Sequence, residues 1–134
     1  MVYLVWSEKL SVGMKDIDEQ HQHFIDILNK AKEAGDDGAP RDAQKKVLDD
    51  LIGYARYHFE SEEQYFEKFK YPYSQEHMAE HAKLLGQVIS FYDKFESGEN
   101  VAPALLPFLK DWLADHLKKH DMKYSAYFKK MGYI

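Results

Sequence analysis

Apolar side chains return at helical spacing along four successive stretches of this chain. Ile17, His21, Phe24, Ile25 and Leu28 mark the first stripe, and Leu48, Leu51, Ile52, Ala55, Phe59, Glu62, Phe66 and Phe69 the second. His77, His81, Leu84, Leu85, Val88, Tyr92 and Phe95 mark the third. Leu105, Leu109, Trp112, Leu113, His116, Leu117, Tyr124 and Phe128 mark the fourth. An α-helix turns once in about 3.6 residues, so positions three, four and seven apart share one face, and an apolar face must be buried against something. The breakers between the stripes are explicit. Gly35-Asp36-Asp37-Gly38-Ala39-Pro40 closes the first, Pro72 disfavours helix at Tyr71, and Ser97-Gly98-Glu99-Asn100 closes the third. Ser74 can cap the third helix, Pro103 can open the fourth, and Pro107 lies close enough to that start to be tolerated. The spacing predicts helices over about 17–34, 41–70, 74–96 and 103–130, preceded by an extended arm over 1–16. Connections this short make successive helices antiparallel. The expected fold is therefore all-α, an up-down-up-down four-helix bundle forming one domain over 1–134, a length that suits a single core.

The stripes carry groups that do not belong in an ordinary core. His21 lies on the first; His58 and Glu62, four apart, on the second; His77 and His81, four apart, on the third; His116 and Asp121 on the fourth. A buried imidazole or carboxylate needs a hydrogen-bonding partner or a cation. Reflecting the third and fourth helices about position 99 puts His81 level with His116 and His77 level with Asp121; reflection about 71 levels Glu62 with His81 but leaves His58 and His77 staggered by about seven residues, roughly 10 Å. All seven groups can meet around one centre. Imidazole suits iron, copper, nickel or zinc, carboxylate can bridge two ions, and a chain with no cysteine offers neither thiolate ligation nor iron–sulfur chemistry. Non-haem iron leads.

Several of these positions are open to a second reading. His116 and Asp121 are five apart, about 140° around an ideal helix, so spacing alone would pair His116 with His120. Asp121 is favoured because Leu113, Leu117, Asp121, Tyr124 and Phe128 form a second inward stripe, and His120 stays an alternative. His77-Met78-Ala79-Glu80-His81 also spells HxxEH, an inverted zinc-protease motif, which would leave the other five groups unexplained. His23 falls nearly opposite His21 and reads as surface, and Glu60, Glu63 and Glu67 read as charges on a solvated face.

Composition excludes other classes. A net charge of −5 with lysines dispersed among acids lacks the basic footprint of a nucleic-acid binder. No apolar run approaches the roughly 18 residues of a membrane span. Without cysteines, and with no secretory signal after Met1, a cytoplasmic location is expected. Aromatic residues make up 15% of the chain, which predicts a core rich in large rings.

Taken together, the arm with Trp6, Ile17-Asp18-Glu19-Gln20-His21, His58-Phe59-Glu60-Ser61-Glu62, His77xxxHis81, and Trp112-Leu113-Ala114-Asp115-His116 followed by Asp121 and Tyr124 resemble the hemerythrins in their short bacterial form. The resemblance spans nearly the whole chain. It implies two non-haem irons, one held by His77, His81 and His116, the other by His21 and His58, with Glu62, Asp121 and a solvent-derived oxo or hydroxo group bridging them. It implies that O₂ binds reversibly at an open position on the two-histidine iron, walled by Phe24, Phe59, Trp112, Leu113 and Leu117. Tyr124 would donate to a bridging carboxylate. The expected role is O₂ transport, storage or delivery by a monomer that is not an enzyme. A diiron enzyme acting on peroxide or nitric oxide is the alternative, and an O₂ or iron sensor a third reading.

Overall fold

A computed structural model describes residues 4–36, 38 and 40–134 of the chain. After a 3₁₀ turn at Glu8–Leu10 come α1 (Lys15–Asp36), α2 (Arg41–Lys68), α3 (Ser74–Glu96) and α4 (Ala102–His116). A π-helical turn, Leu117–Asp121, then leads without a break into α5 (Met122–Lys130), so α4 and α5 form one fourth rod. The rods are arranged as the four-helix bundle that the stripes predict. Met1, Val2 and Tyr3 of the arm, and Asp37 and Ala39 of the first breaker, lie outside the described residues. Among those described, no helix is long and apolar enough to cross a membrane.

The arm is tied down by polar side chains. The Leu4 N–H donates to Asn29 Oδ1 at 2.8 Å, and Asn29 Nδ2 donates back to the Leu4 carbonyl at 2.9 Å. Further along, Asp18 accepts from the Ser11 hydroxyl and the Val12 N–H, while Ser125 on α5 donates to the Val12 carbonyl at 2.7 Å. These bonds satisfy backbone groups that an arm lying on a bundle would otherwise leave unpaired.

Helix α2 stops at Lys68, two residues short of the expected end. The reason is local. Lys70 sits at φ 50, and the Tyr71 N–H reaches back to the Phe66 carbonyl at 2.9 Å, a Schellman-type ending with lysine in the left-handed position where glycine is usual. Pro72 then keeps the following chain from re-entering the helix.

The fourth rod corrects the expectation of a continuous helix over 103–130. The Met122 N–H bonds to the Leu117 carbonyl, five residues back instead of four, so this turn holds one extra residue. The extra residue changes which side chains share a face. In a continuous α-helix Asp121 would stand about 140° from His116. Across a π-turn of about 4.4 residues, five positions advance one full turn plus about 50°. Asp121 therefore comes round to the face of His116.

Two apolar clusters fill the bundle. One gathers Phe24, Leu28, Leu51, Phe59, Leu84, Leu105, Leu109, Leu113 and Leu117; the other gathers Val12, Met14, Ile17, Phe66, Tyr71, Tyr124 and Phe128. Along each helix the polar groups fall between the two: His21 between Ile17 and Phe24, Glu62 between Phe59 and Phe66, Asp121 between Leu117 and Tyr124. The candidate site is thus a polar layer sealed above and below by hydrocarbon.

Candidate metal centre

The structure brings His21 of α1, His58 and Glu62 of α2, His77 and His81 of α3, His116 of α4 and Asp121 of the π-turn into that layer, none more than 3% exposed. Helical geometry alone aims two pairs, since four residues carry His58 to Glu62 and His77 to His81 with only about 40° of rotation. The others meet through packing. Two overlapping groups result, Glu62 with His77, His81 and His116, and Asp121 with His21, His58 and Glu62, each with its donor atoms within 4.8 Å of one another.

The carboxylates touch both groups. Asp121 Oδ1 lies 3.1 Å from His77 Nε2 and 3.1 Å from His116 Nε2, and its Oδ2 lies 3.1 Å from His21 Nε2. Glu62 Oε1 lies 3.2 Å from both His58 Nε2 and His81 Nε2, and 4.0 Å from His77 Nε2. His77 and His116 present their Nε2 atoms to each other at 3.1 Å.

These separations fit cation ligation better than hydrogen bonding. Both Asp121 oxygens, Glu62 Oε1 and the Nε2 atoms of His21 and His81 are buried and form no hydrogen bond, although neighbours stand close by. Their lone pairs converge on shared points instead of on one another. Six-coordinate binding with bonds of about 2.1–2.2 Å would place neighbouring ligand atoms about 3.0–3.1 Å apart and opposite ones about 4.2–4.4 Å apart. The 3.1–3.2 Å contacts match the first spacing, and the 4.0 Å contact approaches the second.

Charge points the same way. Burial works to keep Glu62 and Asp121 protonated, and the Asp121 charge adds to it at Glu62. The surrounding imidazoles outweigh both effects. Glu62 is held below the usual carboxylate range by His58 and His81, and Asp121 by His116, His21 and His77. Burial pushes His81 down to about 4, so its ring is neutral with a free lone pair. For His21 and His116 burial acts in that direction too, but Asp121, aided by Glu62, overrides it and raises both. Two buried anions thus raise the proton affinity of two imidazoles, a demand for positive charge that a metal ion would meet.

Around this layer stands a second ring of contacts. Tyr124, fully buried, donates to Glu62 Oε2 at 2.6 Å, and burial followed by the Glu62 charge raises its phenol well above the ordinary value, so it stays a donor. Phe59 stacks flat on His81 with ring centres 3.8 Å apart, Trp112 stacks on His116 at 4.4 Å, and Phe66 leans on His77 at 4.8 Å. Phe59 and Trp112 therefore lie against rings of the three-histidine group, with Phe59 also 5.9 Å from His58. Phe24, Leu113 and Leu117 are buried in the adjoining apolar cluster.

His120 is half-buried and stacks on His116 at 5.1 Å without joining either group of donors. His23 is exposed against Tyr54, and Glu80 of HxxEH lies outside both groups. Glu60 and Glu67 are exposed, as their spacing predicts. Glu63 is not: its side chain is 27% exposed and Oε2 lies 3.5 Å from His81 Nδ1, a correction to its reading as a solvated charge. Sequence reasoning also passed over Gln20, whose Oε1 stands 2.8 Å from His58 Nδ1. Its one signal is adjacency to His21 at the edge of the α1 stripe.

The chain matches the family model described as "Hemerythrin HHE cation binding domain" over residues 12–128. It is 31% identical over 125 residues to a bacteriohemerythrin of Stenotrophomonas maltophilia, covering 93% of this chain and 81% of that protein. With a bacteriohemerythrin of Methylococcus capsulatus it shares 34% identity over 127 residues, covering 93% of this chain and 96% of that one. A crystal structure of wild-type hemerythrin superposes with a TM-score of 0.87 at 32% identity, covering 92% of this chain and 96% of the other. Family model, sequence relatives and fold agree with the converging histidines and carboxylates, and the chain belongs to the hemerythrin family.

Proposed function

We propose that this chain holds two non-haem irons in the polar layer and binds O₂ reversibly there, as a carrier, store or delivery protein. The observation that carries the reading is the convergence of five imidazoles and two ionised carboxylates at octahedral spacings. His77, His81 and His116 would hold one iron, His21 and His58 the other, and Glu62 and Asp121 would span the two. Five nitrogens and at most four carboxylate oxygens fill about nine of roughly twelve positions, which leaves room for solvent and one diatomic ligand. The two-histidine side has the fewest protein donors and is where O₂ would enter. When bound, a reduced iron pair supplies the electrons that make O₂ uptake and return possible.

The chain's own residues favour binding over turnover. Tyr124 fixes Glu62 Oε2 and keeps its proton, so that carboxylate is held in place. Phe59 and Trp112 stack on His81 and His116 and restrict ring motion, while Leu113 and Leu117 fill the adjoining core. An apolar wall of this kind keeps water and stray protons from the bound gas. Paired ExxH motifs, usual in oxygen-activating carboxylate diiron enzymes, do not occur in the sequence.

Iron analysis and absorption spectroscopy test the proposal together. Purified protein is expected to hold about two irons per chain, to gain a new visible band when the reduced form meets air, and to lose it under argon over repeated cycles. One zinc per chain would overturn the diiron reading. Rapid, sustained consumption of hydrogen peroxide or nitric oxide, without a stable oxygenated form, would replace the carrier by an enzyme.

A further inference from the structure

A histidine that faces a cation must carry its proton on the other nitrogen, so the group behind the ring decides whether it can serve. Behind His58 that group is reached through a chain of donors. The Ser61 hydroxyl gives its only proton to the Tyr57 carbonyl, 3.0 Å away. Towards Gln20, Ser61 can therefore only accept, and Gln20 Nε2 lies 3.3 Å from its Oγ. This fixes the amide's orientation. The Gln20 Oε1 must then be the atom that meets His58 Nδ1, at 2.8 Å, and since a carbonyl oxygen cannot donate, the proton sits on Nδ1. In the neutral ring His58 Nε2 is then the bare nitrogen, 3.2 Å from Glu62 Oε1 and facing the centre.

Gln20 is 8% exposed and reaches from α1 across to α2, the two helices that supply His21 and His58. The other side of the centre is backed differently. Behind His81 the carboxylate of Glu63 comes to 3.5 Å from Nδ1, near enough for its charge to be felt but without a hydrogen bond. A carboxylate behind an imidazole pushes electron density through the ring; a neutral amide orients the ring and donates less.

We infer that Gln20, oriented by Ser61, is the positioning residue of the two-histidine side: it locks His58 with its bare Nε2 inward, and does so without adding a negative charge. The orienting role is independent of the proposed function, whereas the effect of the missing charge rests on it. With a metal held there, a neutral amide behind His58 would leave that side less electron-rich than a carboxylate in its place would, and so slower to oxidise.

Two measurements on the full chain test this separately. Nitrogen-15 NMR of the imidazoles in metal-free protein, at mildly alkaline pH, is expected to show a slowly exchanging Nδ1–H on His58. Gln20→Leu should abolish it, Ser61→Ala should weaken it, and Gln20→Glu should restore it. Transfer of iron from loaded protein to a chelator is expected to be about 10–100-fold faster in Gln20→Leu and near wild type in Gln20→Glu. The Gln20→Glu protein should nonetheless oxidise faster in air, a change that loss of packing alone would not produce in a variant that keeps its iron. Persistence of the His58 Nδ1–H in Gln20→Leu would overturn the inference, as would wild-type iron retention by that variant. Loss of the Nδ1–H in Gln20→Leu from a chain that takes up no iron would uphold the positioning role and defeat the diiron proposal instead.

Discussion

Deleting Lys119 should leave the metal centre in place, although it removes a residue between two of its groups. Lys119 is exposed and lies in the π-turn, whose one extra residue brings Asp121 onto the face of His116. Five residues through a π-turn advance about 50° past a full turn and rise about 6 Å; four residues of α-helix advance about 40° and also rise about 6 Å. The deletion should convert the π-turn into α-helix and move the Asp121 Cα by about 0.4 Å, taking a helix radius of about 2.3 Å. A shift that small preserves the 3.1 Å approach of Asp121 Oδ1 to His116 Nε2 and leaves Tyr124 and Phe128 on their faces. Deleting exposed Asp111, within the regular part of α4, is the contrasting perturbation. It should rotate His116 by about 100° and displace its Cα by about 3.5 Å, out of reach of the centre. Iron per chain, with the thermal midpoint as a check on folding, reads both. The Lys119 deletion is expected to keep about two irons and the Asp111 deletion to lose them. Loss of iron from both deletions, with the Lys119 variant still folded, would refute the account of the π-turn as a one-residue insertion that aims Asp121.

On the same rod, Asp121→Ala should strip iron and lower stability, because imidazoles stay buried without their counter-charge, while His120→Asn should keep both irons; metal analysis giving the reverse would transfer the ligand role to His120. Leu113→Ala should cost about 2–5 kcal/mol in denaturant unfolding, since Leu113 is only 4% exposed, and should speed air oxidation with iron content nearly unchanged. Wild-type oxidation kinetics in that variant would remove Leu113 from the protective wall. Metal uptake by the metal-free chain should release protons near neutral pH. His21 and His116, whose values are raised, still hold protons there and must give them up, so apparent affinity rises with pH through that range. His81, at about 4, is already neutral above about pH 5 and contributes none. Titration calorimetry in buffers of different ionisation enthalpy counts these protons, and zero release at neutrality would contradict the raised values.

Much of this protein is written in local spacing. Helical period and Gly or Pro breakers are properties of short stretches, so four rods and their antiparallel order follow from sequence alone, and the third helix spans Ser74–Glu96 as the pattern predicts, although Ser74 is its first residue and Tyr73, with no side-chain cap bond, takes the N-cap place expected of Ser74. Pairs four residues apart on one helix, His58 with Glu62 and His77 with His81, are aimed together by covalent geometry before any packing occurs. What the residues left open depends on the third dimension. Nothing in the string Leu117-Lys118-Lys119-His120-Asp121 announces a π-turn, yet that turn decides between His120 and Asp121. Glu63 looks like any solvated glutamate until α3 packs against α2 and sets His81 beside it. Gln20 precedes a histidine as countless glutamines do, and only the approach of α1 to α2 turns its amide into the partner of His58. Periodicity within a helix is fixed by the backbone, whereas the rotation of one helix against another is settled by the packed core, and the second ring of contacts around the centre is built from the latter.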